Sequence, residues 1–143
     1  MFLIAVSPIT SMSRSKEDSF MVKSRNVLGE TLEVCCTSPM TGFLRNGTCE
    51  TGPRDIGTRV VCAEVTEEFL KFTRSRGNDL ITPSPSHGFP GLKPGDRWCL
   101  FVSRWEEGLD AGLAPSVVLS ATHETSLKHV SMVDLKKNAI DLS

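Results

Sequence analysis

The sequence has no excess of charge of either sign, with 16 Lys and Arg residues against 17 Asp and Glu residues and a net charge of -1. Nucleic-acid-binding domains usually carry a strongly basic patch or an elevated pI, so this balance argues against that class. The sequence also has no apolar run near the roughly 18 residues that a membrane-spanning helix needs. We therefore predict neither nucleic-acid binding nor a membrane span.

Several familiar signatures are also missing. No unit of roughly 20 to 50 residues repeats along the chain, which excludes solenoids and propellers. The chain has no glycine-rich phosphate loop, no Gly-x-Ser-x-Gly and no His-Glu-x-x-His. These absences exclude the common NTPases, serine hydrolases and zincins, although less usual enzymes stay open. Cys-x-x-Cys, the spacing of zinc knuckles, is absent too.

The 143 residues, 39% of them hydrophobic, are enough for one domain with a core. Residues 1–25 differ from the rest. Their apolar stretch, residues 2–6, is short and has no basic residue before it, unlike a signal peptide. We interpret 1–25 as a poorly packed extension, with an organellar targeting segment as the alternative, and 26–143 as a single domain. The expected compartment is the cytoplasm, where thiols stay reduced.

Apolar patterning and capping residues predict strands and helices in alternation. Thr66 is a helix N-cap followed by two acids, Gly77 ends that helix, and Ser131 opens a capping box. The predicted strands are 58–65, 97–103 and 116–121, and the predicted helical stretches are 66–76, 105–111, 123–129 and 131–140. The dipeptide Asn46-Gly47 also predicts a β-hairpin over 41–52.

Proline and glycine concentrate in one segment, residues 83–95. Phe89 and Leu92 lie within it and can anchor it to the body of the protein. Its length favours a binding or lid role. The fold class that follows is α+β: one small mixed or antiparallel sheet, covered by about three helices, with a long Pro/Gly-rich loop.

Four cysteines lie in four separate segments: Cys35, Cys49, Cys62 and Cys99. Thiolates suit zinc, which takes four ligands in a tetrahedron, and distant segments can converge in a fold. These residues are therefore candidate ligands of a structural zinc. Two alternatives stay open, since cysteines are often simply buried core residues and can also serve redox or nucleophilic chemistry.

Polar residues in turns, in loops and after a strand, together with a tryptophan in the predicted strand 97–103, are candidate ligand-binding groups: Asn78, Asp79, His87, Asp96, Trp98, His123 and Glu124. His123 beside Glu124 follows a predicted strand, where acid–base pairs or metal ligands occur, and the pair is the candidate catalytic set. Each candidate has a structural alternative. His123 could be a capped histidine, Asn78-Asp79 a helix C-cap, Asp96 a turn residue and Trp98 a core residue.

Five motifs over residues 26–140 resemble a family of small proteins that is common in bacteria and catalogued as a domain of unknown function. The motifs are Asn26-Val-Leu-Gly29, Thr41-Gly-Phe43, Gly77-Asn-Asp-Leu80, Gly88-Phe-Pro-Gly-Leu-Lys-Pro-Gly-Asp-Arg-Trp-Cys99 and Ala121-Thr-His-Glu124. The resemblance implies no particular activity. It also implies that the four cysteines and most of the polar candidates stand at positions characteristic of the family. Members often carry His where Arg59 stands and Cys where Phe101 stands.

The first hypothesis is a domain that binds a small polar ligand between the 83–96 loop, the 77–80 turn and residues 123–124, with zinc as a structural cofactor. The second is an enzyme that uses His123 with Glu124, or a cysteine, as acid–base or nucleophile. The third is a subunit of a larger assembly, with residues 1–25 docking to a protein partner.

Overall fold

The computed structural model describes residues 24–52 and 58–141, so nearly all of the predicted extension over 1–25 lies outside it. Within the described residues the regular elements are three strands and three helices: β1 (Arg59–Glu64), α1 (Glu67–Ser75), β2 (Arg97–Phe101), α2 (Val102–Asp110), β3 (Ser116–Val117) and α3 (Met132–Lys137). None of the helices in these ranges is long and apolar enough to cross a membrane.

The three strands form one antiparallel sheet in the order β2-β1-β3. The central strand is β1, whose nearly continuous apolar run is buried from Val60 to Ala63. A strand covered on both faces is expected to carry such a run. The α+β fold class predicted from the sequence is confirmed, and the sheet is antiparallel rather than mixed.

The two faces of the sheet lead to two different cores, because successive side chains of a strand point to opposite faces. Cys62 and Cys99 are partners across β1 and β2, and both belong to a small core built around cysteines. The next pair along the two strands is Ala63 and Trp98. Ala63 belongs to the large apolar core that includes helix residues, and Trp98 packs against that core. The sheet therefore separates a sulfur-rich core from a conventional hydrophobic one.

The large core is centred on Trp105 and Phe69, from α2 and α1, which are fully buried. A Cβ on Gly108 would lie 3.0 Å from the Phe69 ring, so this glycine lets the ring pack closely against α2. The Trp105 indole N–H donates to the Pro115 carbonyl at 3.1 Å. The one polar atom of this large side chain is thus satisfied inside the core.

The helix ends follow the local sequence signals. Thr66 caps α1, with its hydroxyl accepting from the Phe69 N–H at 3.0 Å, and Gly77 ends the helix in a left-handed conformation at φ 94°. Ser131 caps α3 in the same way through the Asp134 N–H. These caps satisfy N–H groups that have no partner inside a helix, which is why the two starts were predictable.

Two elements differ in extent from their predictions. Helix α2 begins at Val102, directly after β2, rather than at Trp105. Strand β3 ends at Val117 and is followed by a 3₁₀ turn, Leu119–Ala121, instead of continuing to residue 121. The cause lies at the far end of the chain, because the Asp141 carboxylate accepts the Leu119 and Ser120 N–H groups at 2.7 and 2.9 Å. The helical stretch predicted over 123–129 is confirmed as a 3₁₀ helix, Glu124–Lys128.

The prediction of a β-hairpin over residues 41–52 is wrong. A type I′ turn needs positive φ at both Asn46 and Gly47, whereas the positive values occur at Arg45 (54°) and Gly47 (93°). The Asn46 side chain accepts from the Thr48 N–H instead. The segment pairs with an earlier part of the chain, because the Gly47 carbonyl accepts from the Cys35 N–H at 2.7 Å.

The Pro/Gly-rich loop is anchored as predicted. Phe89 and Leu92 are 9% and 3% exposed, and both join the large core. The Leu92 N–H donates to the Leu80 carbonyl at 2.8 Å, and Ser84 pairs with Phe89 across a short 3₁₀ turn. The loop thus has a fixed course beside the turn that follows α1.

Candidate functional site

A pocket of about 230 Å³ runs along the outer edge of the sheet, beside β2. Its floor is formed by β2 residues from Trp98 to Phe101. One wall comes from the segment that contains Gly42 and Arg45, and the other from the turn 78–80 and the loop residues Ser84, His87 and Phe89. The volume lies below the usual range of roughly 300 to 1,000 Å³ for ligand pockets, which indicates a small ligand.

Two arginines line this pocket, and each guanidinium lies over an aromatic ring. The Arg45 guanidinium carbon is 5.5 Å from the centre of the Trp98 ring, and that of Arg59 is 4.8 Å from the centre of the Phe101 ring. Such stacking holds a guanidinium flat while its N–H groups point outward in the plane. Neither arginine is among the site residues predicted from the sequence.

The turn after α1 contributes Asn78 and Asp79, two of the predicted ligand-binding residues, to the pocket lining. Both side chains also shape the turn: Asn78 donates to the Thr73 hydroxyl, and the Asp79 carboxylate accepts the Ile81 and Thr82 N–H groups at 2.9 and 3.0 Å. Hydrogen bonds from Thr82 lower the pKa of Asp79, so this carboxylate is ionised at neutral pH. The C-cap role and the pocket position are therefore combined in one turn.

His87 and Trp98, two further candidates, reach the same pocket. His87 is exposed, and its Nδ1 lies 2.8 Å from the Ser84 hydroxyl. The Trp98 ring meets Phe89 edge to face, with 5.2 Å between the ring centres. The aromatic pair gives the pocket an apolar side next to its charged groups.

Asp96 does not line the pocket and has a structural role instead. Its carboxylate accepts the Lys93 N–H at 2.8 Å, which closes the Pro94-Gly95 turn. Its backbone carbonyl accepts from the Val65 N–H at 2.9 Å, just beyond β1. The prediction that Asp96 joins the ligand site is corrected accordingly.

His123 and Glu124 also lie outside the pocket, contrary to the expected grouping. His123 is 7% exposed, and its Nδ1 accepts the Thr125 N–H at 3.0 Å, which caps the following 3₁₀ helix. Burial lowers the pKa of His123, so the ring is neutral at physiological pH. Its Nδ1 is occupied by this capping bond, and the burial of the ring and its lowered pKa weigh against the proposed acid–base pair with Glu124.

The four candidate zinc ligands do converge, but as two disulfides. Cys35 is bonded to Cys62 and Cys49 to Cys99, while Cys36 stays a free thiol. A metal ligand must be a thiolate, so this oxidised form weighs against the predicted zinc. The expectation that all thiols stay reduced is likewise not met by these four residues.

The chain matches a family described as an uncharacterised protein conserved in bacteria, DUF2237, over residues 25–139. It belongs to the DUF2237 family. The match covers about four fifths of the chain, including the pocket and both disulfides, and it confirms the family resemblance drawn from the sequence motifs. Comparison with curated proteins found no significant match. For this DUF2237 member the site must therefore be interpreted from its own chemistry.

Arg59 and Phe101, which both line the pocket, form a contact between β1 and β2. They are partners across β1 and β2, and the guanidinium stacks on the ring. This contact therefore lies at the floor of the pocket.

Proposed function

We propose that the protein binds a small organic anion in the pocket beside β2. The observation that carries this proposal is the pair of guanidiniums, Arg45 and Arg59, that line one pocket while stacked on aromatic rings. Among the described residues that line the pocket, the one carboxylate is that of Asp79. This described part of the lining therefore carries more positive than negative groups, in a protein whose total charge is -1.

The arrangement favours an anion that is flat or partly apolar. Guanidinium N–H groups match the two oxygens of a carboxylate or phosphate, and charge-assisted bonds of this kind contribute about 1.5 to 3 kcal/mol each. Trp98 and Phe89 supply an apolar surface beside those donors. The small volume limits the ligand to roughly the size of a substituted benzoate or a short-chain acid.

The test compares ligands that share a shape but differ in charge. Benzoate, phenyl phosphate and the neutral analogue benzamide are titrated into the full chain, with binding followed by calorimetry and by the shift of the Trp98 indole N–H resonance. We expect both anions to bind at least about tenfold more tightly than benzamide, the ratio that one charge-assisted bond provides. The preference should weaken as salt is added.

Two variants and a matched control locate the binding. Arg45→Gln and Arg59→Gln each remove one pocket guanidinium and should reduce anion affinity about tenfold or more. Arg76→Gln is the control, since Arg76 also lies over an aromatic ring, Phe72, but outside the pocket. Equal binding of benzoate and benzamide, or an equal loss in the control variant, would overturn the proposal.

The sequence-based hypotheses of a cytoplasmic location and of a protein partner bound through residues 1–25 stay predictions. Imaging of a tagged full-length protein checks the first, with an organelle as the alternative outcome. Co-purification of a partner with the full chain, and its loss when residues 1–25 are deleted, checks the second.

A further inference from the structure

All four paired cysteines form one sulfur cluster rather than two separate bridges. The Sγ atoms of Cys35, Cys49 and Cys99 all lie within 4.8 Å of one another, and the Sγ of Cys62 is bonded to that of Cys35. All four residues are buried, between 0% and 5% exposed, and Val118 and Ala121 complete the cluster. The two disulfides thus lie side by side, with the Sγ of Cys35 close to both sulfurs of the Cys49–Cys99 bridge.

Hydrogen bonds hold the backbones of two of the cysteines independently of the sulfur–sulfur bonds. Cys62 and Cys99 are neighbours across β1 and β2. The Cys62 N–H donates to the Thr122 hydroxyl at 3.2 Å, and the Cys99 N–H donates to the Thr41 hydroxyl at 2.9 Å. Because the sheet and these hydroxyls fix both residues, their sulfurs stay close when the disulfides open.

The other two cysteines are held by the segments that replaced the predicted hairpin. Val34 and Thr48, each next to a cysteine in sequence, form a β-bridge. The Cys35 N–H also donates to the Gly47 carbonyl at 2.7 Å. The segment that contains Cys35 and the one that contains Cys49 are thereby joined through their backbones, again without any sulfur bond.

A tetrahedral zinc has four sulfurs at about 2.3 Å, which separates each pair of sulfurs by about 3.8 Å. The Sγ of Cys35 lies within 4.8 Å of those of Cys49 and Cys99, which is about 1 Å beyond this spacing at most. The sulfurs of each opened disulfide move apart from bonding distance by about 1 Å each, and the Cys62 Sγ, outside this group of three, rotates towards it. Side-chain rotation supplies a movement of this size. Because the protein supplies all four ligands and each is at most 5% exposed, the site would be structural rather than catalytic.

We propose that Cys35, Cys49, Cys62 and Cys99 form a redox-dependent metal site, which holds two disulfides when oxidised and one zinc ion when reduced. Reduction consumes two dithiol reductants: each gives two electrons and two protons to one disulfide and leaves as its own disulfide. The four thiols then release their protons to water as four thiolates bind Zn²⁺. Access is available at the pocket, since Cys99 lines it.

The test uses the full chain before and after reduction with a dithiol that is then removed under anaerobic conditions. Co²⁺ is added as a spectroscopic probe, followed by competition with Zn²⁺. We expect the reduced protein to take up one Co²⁺ with the visible bands of a tetrahedral four-thiolate site, and the oxidised protein to take up none. Where reduction alone unfolds the chain, the metal should restore its far-ultraviolet dichroism.

Two variants separate the cluster from its unpaired neighbour. Losing a residue that only contacts a metal ligand already weakens metal binding by up to about 100-fold. Cys49→Ser removes a direct ligand, so it should weaken zinc binding by at least about 100-fold. Cys36→Ser is the matched control and should leave both the spectrum and the affinity unchanged, because Cys36 stands outside the two disulfides. A reduced wild-type chain that takes up no metal, or that binds it no better than Cys49→Ser, would refute the site.

Discussion

The disulfide between Cys49 and Cys99 is expected to stabilise the fold by an amount that can be calculated from its position in the chain. A cross-link stabilises a fold mainly by restricting the unfolded chain, by an amount that grows with the loop it closes. The two residues are separated by 50 positions, which corresponds to about 4 kcal/mol at 25 °C in the chain-entropy relation. The Cys35–Cys62 disulfide, with a separation of 27, corresponds to about 3.6 kcal/mol.

The perturbation is the double variant Cys49→Ala with Cys99→Ala, compared with the wild type under non-reducing conditions. Urea unfolding should show a loss of about 4 kcal/mol and a larger m-value, because the unfolded chain without the cross-link exposes more surface. The melting temperature should fall by about 16 °C, at roughly 4 °C per kcal/mol for a chain of this length. Removing both disulfides should cost less than the sum of the two effects, since the loops overlap over residues 49–62.

Cys36→Ala is the control for this series, because it removes a thiol that forms no disulfide. Its free energy of unfolding should stay within about 0.5 to 1 kcal/mol of the wild type. The entropic reasoning is refuted if the Cys49/Cys99 double variant lies within about 1 kcal/mol of the wild type with an unchanged m-value. A loss in Cys36→Ala as large as that of the double variant would refute it as well.

Two further predictions concern single residues. The folded-state pKa of His123 is lowered, so its contribution to stability is complete above about pH 6.5 and is lost as the pH falls from there towards the folded pKa. His123→Asn keeps a capping side chain and should remove this part of the pH dependence, measured by urea unfolding between about pH 7 and pH 5. Gly42→Ala should cost more than about 2 kcal/mol in the same assay, because Gly42 has φ 101° and a Cβ there would collide with the Thr48 carbonyl. Gly88→Ala, at φ 64° with open space around it, should cost only about 1 kcal/mol.

The sequence predicted the members of the pocket only in part. Polar side chains in turns and loops and an aromatic residue on a strand often reach ligands, and Asn78, Asp79, His87 and Trp98, predicted on this ground, line one pocket. The sequence does not predict Arg45 and Arg59 as pocket residues, because an arginine in a turn or at a strand end is usually a solvated surface residue. Only the pairing of β1 with β2 and the path of residues 42–48 bring them over aromatic rings.

His123 was predicted to reach the ligand site but does not line the pocket. Its place beside Glu124 after an apolar stretch suggested an exposed strand end. The strand ends four residues earlier than expected, because Asp141 takes the backbone N–H groups at 119 and 120 and turns the chain. His123 then lies against the β1 backbone, with its N–H donating to the Val60 carbonyl at 3.0 Å. A contact between the two ends of a segment of more than 20 residues has no local sequence signal.

The sequence by itself determined what depends on local interactions. A continuous apolar run specified the central strand, and Thr66 and Ser131 specified the starts of two helices. The balanced charge and the short apolar runs argued against nucleic-acid binding and against a membrane span, and the order of strands and helices indicated a small α+β domain. The tertiary structure alone decided how the cysteines meet and where the charge collects. Those properties depend on which distant segments become neighbours, and the free energy that selects these neighbours comes from burial over the whole sheet rather than from any short motif.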